Sequence, residues 1–153
     1  MTKGKRYSLR LLTARSRSEY EVKRRLLKAG YDRTTSENVV SELKKENILN
    51  DTRFASEWVD SRLEFSPRAV EVIRAELEVK GVSDDVIGRV FEVKAEKLKD
   101  QVIARNLVKD KVASEKGLRG EKLRAKVFRF LVSRGFSAEL AEEMVVSYQP
   151  PTS

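Results

Sequence analysis

The side chains of this sequence that could do chemistry are Lys, Arg, Asp, Glu, Ser and Tyr, because it contains no His and no Cys. The Ser-His-Asp triad, the Cys-His dyad and any His general base are therefore excluded. So are disulfides and Cys/His metal centres. Adjacent carboxylates occur at Asp84-Asp85 and Glu142-Glu143. Acid–base hydrolysis needs two carboxyl groups opposed across a cleft. These pairs instead fall at a helix start or on an exposed face, where the helix dipole and solvation account for them. No G-x-x-x-x-G-K-[ST] loop is present, so nucleotide hydrolysis has no P-loop. A tyrosine nucleophile with Arg or Lys helpers stays open in principle, since four Tyr and many Arg make chance combinations easy. The expectation is a protein that is not an enzyme and has no cofactor.

The other chemistry on offer is the binding of polyanions. Basic residues cluster at Lys23, Arg24, Arg25 and Lys28, and again at Lys122, Arg124, Lys126 and Arg129. Lys122, Lys126 and Arg129 share a helix face by the i, i+4, i+7 rule. Arg68 and Arg74 are a sparse counterpart between them. These clusters are the candidate contact surfaces, against the plainer reading of solvated helix faces. Lys3, Lys5 and Arg6 could form a basic N-terminal arm or an untethered terminus. With 32 basic and 24 acidic residues the net charge is +8, and it is uneven. Residues 1–50 carry 13 basic and 6 acidic side chains, residues 51–97 carry 8 and 11, and residues 98–153 carry 11 and 7. Basic ends flanking an acidic middle suit a long ligand with more than one kind of surface. Aromatics add no base-stacking platform: Phe54 and Trp58, at i and i+4, read as core, and Tyr31 and Phe136 as structural.

The elements that must position these clusters follow from a repeat. Gly30, Gly81 and Gly135 have Leu four residues before them (Leu26, Leu77, Leu131) and a β-branched aliphatic eight before (Val22, Ile73, Val127). An apolar residue follows each Gly (Tyr31, Val82, Phe136), and apolar pairs recur nine and ten after (Val39-Val40, Val90-Phe91, Met144-Val145). Positions eight and four before the Gly lie on one helix face and predict core stripes. The Gly then predicts a left-handed C′ residue that ends the helix, with the next apolar residue folding back as in a Schellman motif. A capping residue follows (Thr34 or Thr35, Ser83, Ser137), with Thr34 and Glu37 reading as a capping box.

Each repeat has a leading helix, about Tyr7 to Ala14, Asp51 to Phe65 and Ala95 to Ser114, the second capped by Asn50. The helices carrying the stripes should start at Ser16 or Ser18, at Ser66-Pro67 with Pro67 in the first helical position, and near Gly120-Glu121. Ser18 and Glu21 read as a capping box. With only 7 Gly and 3 Pro, 40% hydrophobic and 37% charged residues, the 153-residue chain is expected to be all-α. The expected architecture is three tandem three-helix repeats forming an elongated, curved helical array. The boundaries are 1–50, with the basic arm, 51–97 and 98–148. Residues 114–120 form a flexible joint, and a disordered tail begins at Tyr148 and fills 149–153. No run is long and apolar enough for a membrane span, and the basic start leads into no signal-type stretch. A reducing, cytoplasmic location is the default for a chain without Cys, and a monomer is expected.

In that order and spacing the residues resemble a known family. Arg15-x-x-Ser18-x-x-Glu21-Val22-x-x-x-Leu26-x-x-x-Gly30 resembles the opening signature of the RecX regulatory proteins. Leu49-Asn50-Asp51-x-x-Phe54-Ala55, then Arg62, Pro67, Ile73 and Glu76-Leu77-x-x-Lys80-Gly81-Val82, are similar to the second unit, and Leu131-x-x-x-Gly135-Phe136-Ser137 to the close of the third. The resemblance spans Tyr7 to Tyr148. Ser66-Pro67 stands where the family often has Gly-Pro, and Val22 where it often has Leu; both keep the local physics. The resemblance implies a modulator of the RecA recombinase. It would bind the RecA filament on single-stranded DNA, inhibit ATPase, strand-exchange and coprotease activities, and have no catalytic site. Such a protein takes part in DNA repair and the SOS response. The family offers no sharply defined site motif, so the candidate contacts rest on charge and geometry. The alternative is a helical protein that binds DNA directly through basic helix faces. The helices after each Gly suit that poorly, because they carry Asp84, Asp85, Glu139, Glu142 and Glu143.

Overall fold

The computed structural model describes residues 1–148, and the tail expected at 149–153 lies outside the described residues. Among those described there are nine α-helices and no strand: α1 Lys3–Ala14, α2 Glu19–Lys28, α3 Arg33–Lys45, α4 Asp51–Phe65, α5 Val70–Val79, α6 Asp84–Val93, α7 Asp100–Ser114, α8 Gly120–Ser133 and α9 Ala138–Ser147. They divide into two compact units, Met1–Val59 with Ala75–Val90, and Asp60–Arg74 with Phe91–Ser153.

The repeat signal is realised three times in the backbone. Gly30, Gly81 and Gly135 have φ of +102°, +78° and +97°, a region that costs a residue with Cβ about 1 kcal/mol or more. The residue after each Gly donates its N–H to the carbonyl of the Leu four before that Gly: Tyr31 to Leu26 at 3.1 Å, Val82 to Leu77 at 3.1 Å and Phe136 to Leu131 at 3.2 Å. Each Gly N–H also closes on the carbonyl three back, which completes a Schellman motif. The stripes before them are core, with Val22, Leu26, Ile73, Leu77 and Leu131 fully buried and Val127 nearly so.

In the first unit α1, α2 and α3 pack on one another, around Val22, Leu26, Val39, Val40, Leu43 and Leu49. Gly4 is buried in α1 because a Cβ there would press on Val39 Cγ2 at 3.1 Å. In the second unit α7, α8 and α9 pack likewise, around Ile103, Ala104, Leu107, Val108, Val127, Leu131 and Met144. Tyr148, expected in the tail, packs against this cluster.

Several boundaries differ from the expected ones, some for local and some for non-local reasons. α1 starts at Lys3, four residues early, with Thr2 Oγ1 accepting the Lys5 N–H at 3.2 Å. Lys3, Lys5 and Arg6 are therefore helical and form neither an arm nor an untethered terminus. Lys5 Nζ lies 2.9 Å from Glu42 and 2.6 Å from Glu46 of α3, and these carboxylates raise its pKa. α3 is capped by Asp32, whose carboxylate accepts the Thr35 N–H at 2.7 Å, and not by Thr34 or Thr35. We predict that Asp32→Ala costs about 1 kcal/mol in chemical denaturation. Thr34→Ala should cost less than about 0.5 kcal/mol. Equal costs would restore Thr34 as the cap.

α5 begins at Val70, so Pro67 is not its first residue. Ala69 is a poor cap, and Asp100 at the start of α7 substitutes for one, accepting the Val70 N–H at 2.8 Å. α7 itself starts at Asp100 and not at Ala95, because the chain turns at Lys94, whose carbonyl accepts the Leu98 N–H at 3.0 Å. The expected caps Asn50, Ser18, Ser83 and Ser137 all accept as anticipated, and Ser18 and Glu21 complete their capping box.

Two docking joints use equivalent positions. In the first unit Ser18, at the start of α2, donates its hydroxyl to the Lys80 carbonyl at 2.5 Å, one residue before Gly81. Tyr20 lies against Gly81 where a Cβ would overlap it. In the second unit Ala69, at the start of α5, donates its N–H to the Arg134 carbonyl at 3.0 Å, one residue before Gly135. Val72, one position further along its helix than Tyr20 is in its own, lies against Gly135 where a Cβ would overlap it. Ser18 and Ala69 both stand twelve residues before their own C-cap glycine. Each joint thus presses the glycine turn at the end of one helix onto the start of another.

Candidate binding surface

The first basic cluster rides on α2, whose start is fixed by the Ser18 capping box and whose end is fixed by Gly30. With Val22 and Leu26 turned into the core, Arg24, Arg25 and Lys28 are exposed. Among the described residues these three have no ion pair. Lys23, on the flank, is half-buried and 3.1 Å from Glu37 of α3. The structure therefore brings three of the four cations to one open face and engages the fourth internally.

The second cluster is on α8. Lys122 and Arg129 are exposed without an ion pair among the described residues. Arg124 pairs with Glu121 at 3.2 Å, one turn away and on an exposed surface. Such a pair contributes little to stability, about 0–1 kcal/mol, and opens readily. Lys126 is 2.9 Å from Glu115, which also takes Lys111 at 3.1 Å. Lys126, then Lys111, hold the Glu115 carboxyl below its usual range. Glu115 thereby ties the stretch between α7 and α8 to both helices.

The middle pair is more engaged. Arg74 stacks on Phe91, 4.8 Å from the ring centre, and lies 3.6 Å from Glu71. Arg68 is half-buried just before α5 and has no ion pair among the described residues. Arg134, which the charge clusters did not single out, is half-buried beside the end of α8. Burial lowers the Arg134 pKa first, and the positive charges of Arg68 and Arg62 lower it further. The signal for Arg134 was its place directly before Gly135, the position Lys80 holds before Gly81.

Trp58 is half-buried and not fully core. Its indole Nε1–H donates to Glu76 at 3.0 Å, its ring lies beside Phe54 at 6.2 Å, and Lys80 Nζ sits 4.4 Å from the ring centre. The ring is engaged on these sides by protein and is not a free stacking platform. Asp84 and Asp85 occupy the first turn of α6 and are exposed, as are Glu142 and Glu143 on α9. No group of three or more acidic residues among those described could hold a metal ion, and no described helix is long and apolar enough to cross a membrane.

Among the described residues the elements are helices only, and the glycine turn recurs three times, which defines a helical-repeat protein. Comparison with known proteins makes the class specific. Residues 5–43, 50–90 and 99–145 match the first, second and third three-helix domains of RecX. The regulatory protein RecX of Mycobacterium tuberculosis is 33% identical over 142 residues, covering 91% of this chain and 82% of that one. That of Mycobacterium ulcerans is 34% identical over 143 residues, covering 91% and 80%. The crystal structure of RecX from Lactobacillus salivarius has the same fold, with a TM-score of 0.72 at 19% identity over 94% of this chain and 93% of that one. A second crystal structure of regulatory protein RecX gives a TM-score of 0.71, also at 19% identity. The chain belongs to the RecX family of regulatory proteins.

Proposed function

We propose that this protein binds RecA filaments on single-stranded DNA and inhibits their ATPase, strand-exchange and coprotease activities, without catalysis of its own. The observation that carries the reading is the match to all three RecX three-helix domains. The charge distribution supports it. Arg24, Arg25, Lys28, Lys122 and Arg129 offer cations that no carboxylate of the chain neutralises among the described residues, so they are available to phosphates or to acidic protein grooves. The acidic middle segment, residues 51–97, would face basic patches of RecA. We take the protein to act as a monomer in the cytoplasm, with repeats bounded near residues 50 and 97.

The second reading, direct action on DNA, is favoured by the same open face on α2. The two separate by binding measurements on naked single-stranded DNA and on RecA-coated DNA at matched salt. A filament regulator binds the coated DNA at least about tenfold more tightly, a difference of about 1.4 kcal/mol. A plain DNA binder shows a steep salt slope on naked DNA and no gain from RecA. The second outcome would replace the first reading.

A further inference from the structure

The two docking joints differ in charge at equivalent positions. In the first, Arg17 stands thirteen residues before its C-cap glycine, Glu21 stands nine before, and Lys80 directly precedes the facing glycine. Glu21 neutralises that joint: its carboxylate lies 3.1 Å from Arg15 and 3.6 Å from Lys80. Burial raises the Glu21 pKa, but the Ser18 N–H, Arg15 and Lys80 outweigh it and hold the carboxyl below its usual range. In the second joint the corresponding residues are Arg68, Val72 and Arg134. The acid is missing, and the residue in its place packs against Gly135.

The Arg134 carbonyl is tied to the Ala69 N–H at 3.0 Å, beside Arg68. Its guanidinium lies 4.9 Å from the Phe130 ring centre, which fixes the side chain and leaves its N–H edge for a ligand. Both joints share one acid at the helix start, Asp51 accepting the Glu19 N–H at 2.9 Å in the first and Asp100 the Val70 N–H at 2.8 Å in the second, so the difference between them is the acid at the Glu21 position; Glu71 lies 3.6 Å from Arg74. Lys111 approaches the same Phe130 ring at 4.7 Å.

We propose that Arg68 and Arg134 form an anion site where the C-terminal turn of α8 meets the start of α5, and that its ligand is a phosphodiester of single-stranded DNA. Guanidinium groups on two separate elements match the spread oxygens of a phosphate. Lys122 and Arg129, open on α8, suit a ligand that repeats its charge along a strand. A carboxylate peptide offers the same local chemistry but calls on fewer of these cations. The site deepens the function proposed above, and rests on it only for single-stranded DNA as the ligand.

The test is binding of a fluorescent oligothymidylate, without RecA, across a salt series. Arg68→Gln with Arg134→Gln should weaken binding about tenfold at low salt. The slope of log affinity against log salt should flatten by about 0.7 for each phosphate that is no longer neutralised. Val72→Glu, which restores the acid of the first joint, should have the same effect with every arginine in place, whereas Arg17→Gln should change affinity less than twofold. Circular dichroism checks that each variant folds, and if those at the joint do not, Arg68→Gln alone decides. Unchanged affinity and slope in folded Arg68→Gln would overturn the site, as would arginine-dependent binding of a polyglutamate peptide with none of the oligonucleotide. Loss of oligonucleotide binding in the variants, with no preference of the wild type for RecA-coated DNA, would support the site while rejecting the filament reading.

Discussion

Replacing Leu77 with alanine should cost about 2–5 kcal/mol of folding free energy. The side chain is fully buried, and its carbonyl receives the Val82 N–H in the turn that ends α5. Truncation removes buried methyl groups and leaves a cavity beside a turn held by Gly81, which limits collapse of the neighbours into the space. Val79, two residues on, is 79% exposed. Val79→Ala should therefore stay within about 0.5 kcal/mol. Chemical denaturation of the two variants checks the helix phase directly. A cost under about 1 kcal/mol for Leu77→Ala would contradict it.

The second large effect distinguishes glycines with the same backbone. At Gly30 a Cβ would meet nothing within 4 Å, so Gly30→Ala should cost only the left-handed conformation, about 1 kcal/mol. At Gly81 the added Cβ would overlap the Tyr20 Cβ, and at Gly135 the Val72 Cγ2. Overpacking of that kind adds about 1–3 kcal/mol. Gly81→Ala and Gly135→Ala should therefore each cost about 2–4 kcal/mol. If all three substitutions lower stability equally, the glycines serve their own turns only and the joints contribute nothing.

How much was legible in the sequence follows the range of the interactions. The Schellman turns at Gly30, Gly81 and Gly135 depend on neighbours within about six residues, and their signal repeats three times, so the stripes and turns were readable. So were the Ser18 capping box and the Asn50 cap. The start of α1 was not, because Lys5 is held by Glu42 and Glu46 from α3. Nor was the start of α5, since its capping acid, Asp100, comes from thirty residues away. Asp32 and Thr34 are both good caps two residues apart, and periodicity does not choose between them.

The candidate surface was legible as charge and not as availability. Lys23, Arg124, Lys126 and Arg74 look like their neighbours in sequence, yet each finds an acidic partner in the fold. Arg134 is isolated in sequence, and only the joint places it beside Arg68. Trp58 and Phe54 share a helix face as expected, but the polar edge of the indole reaches Glu76 and draws the ring toward the surface.

The claim that the protein regulates RecA filaments is tested most directly by the steady-state ATPase of RecA on single-stranded DNA, measured as this protein is titrated from zero. Hydrolysis should slow while the protein is well below one molecule per RecA. Charge-reversing Arg24, Arg25 and Lys28 together should move the inhibition to higher concentration. An ATPase rate that stays unchanged up to equimolar protein, with no binding to the filament, would contradict it.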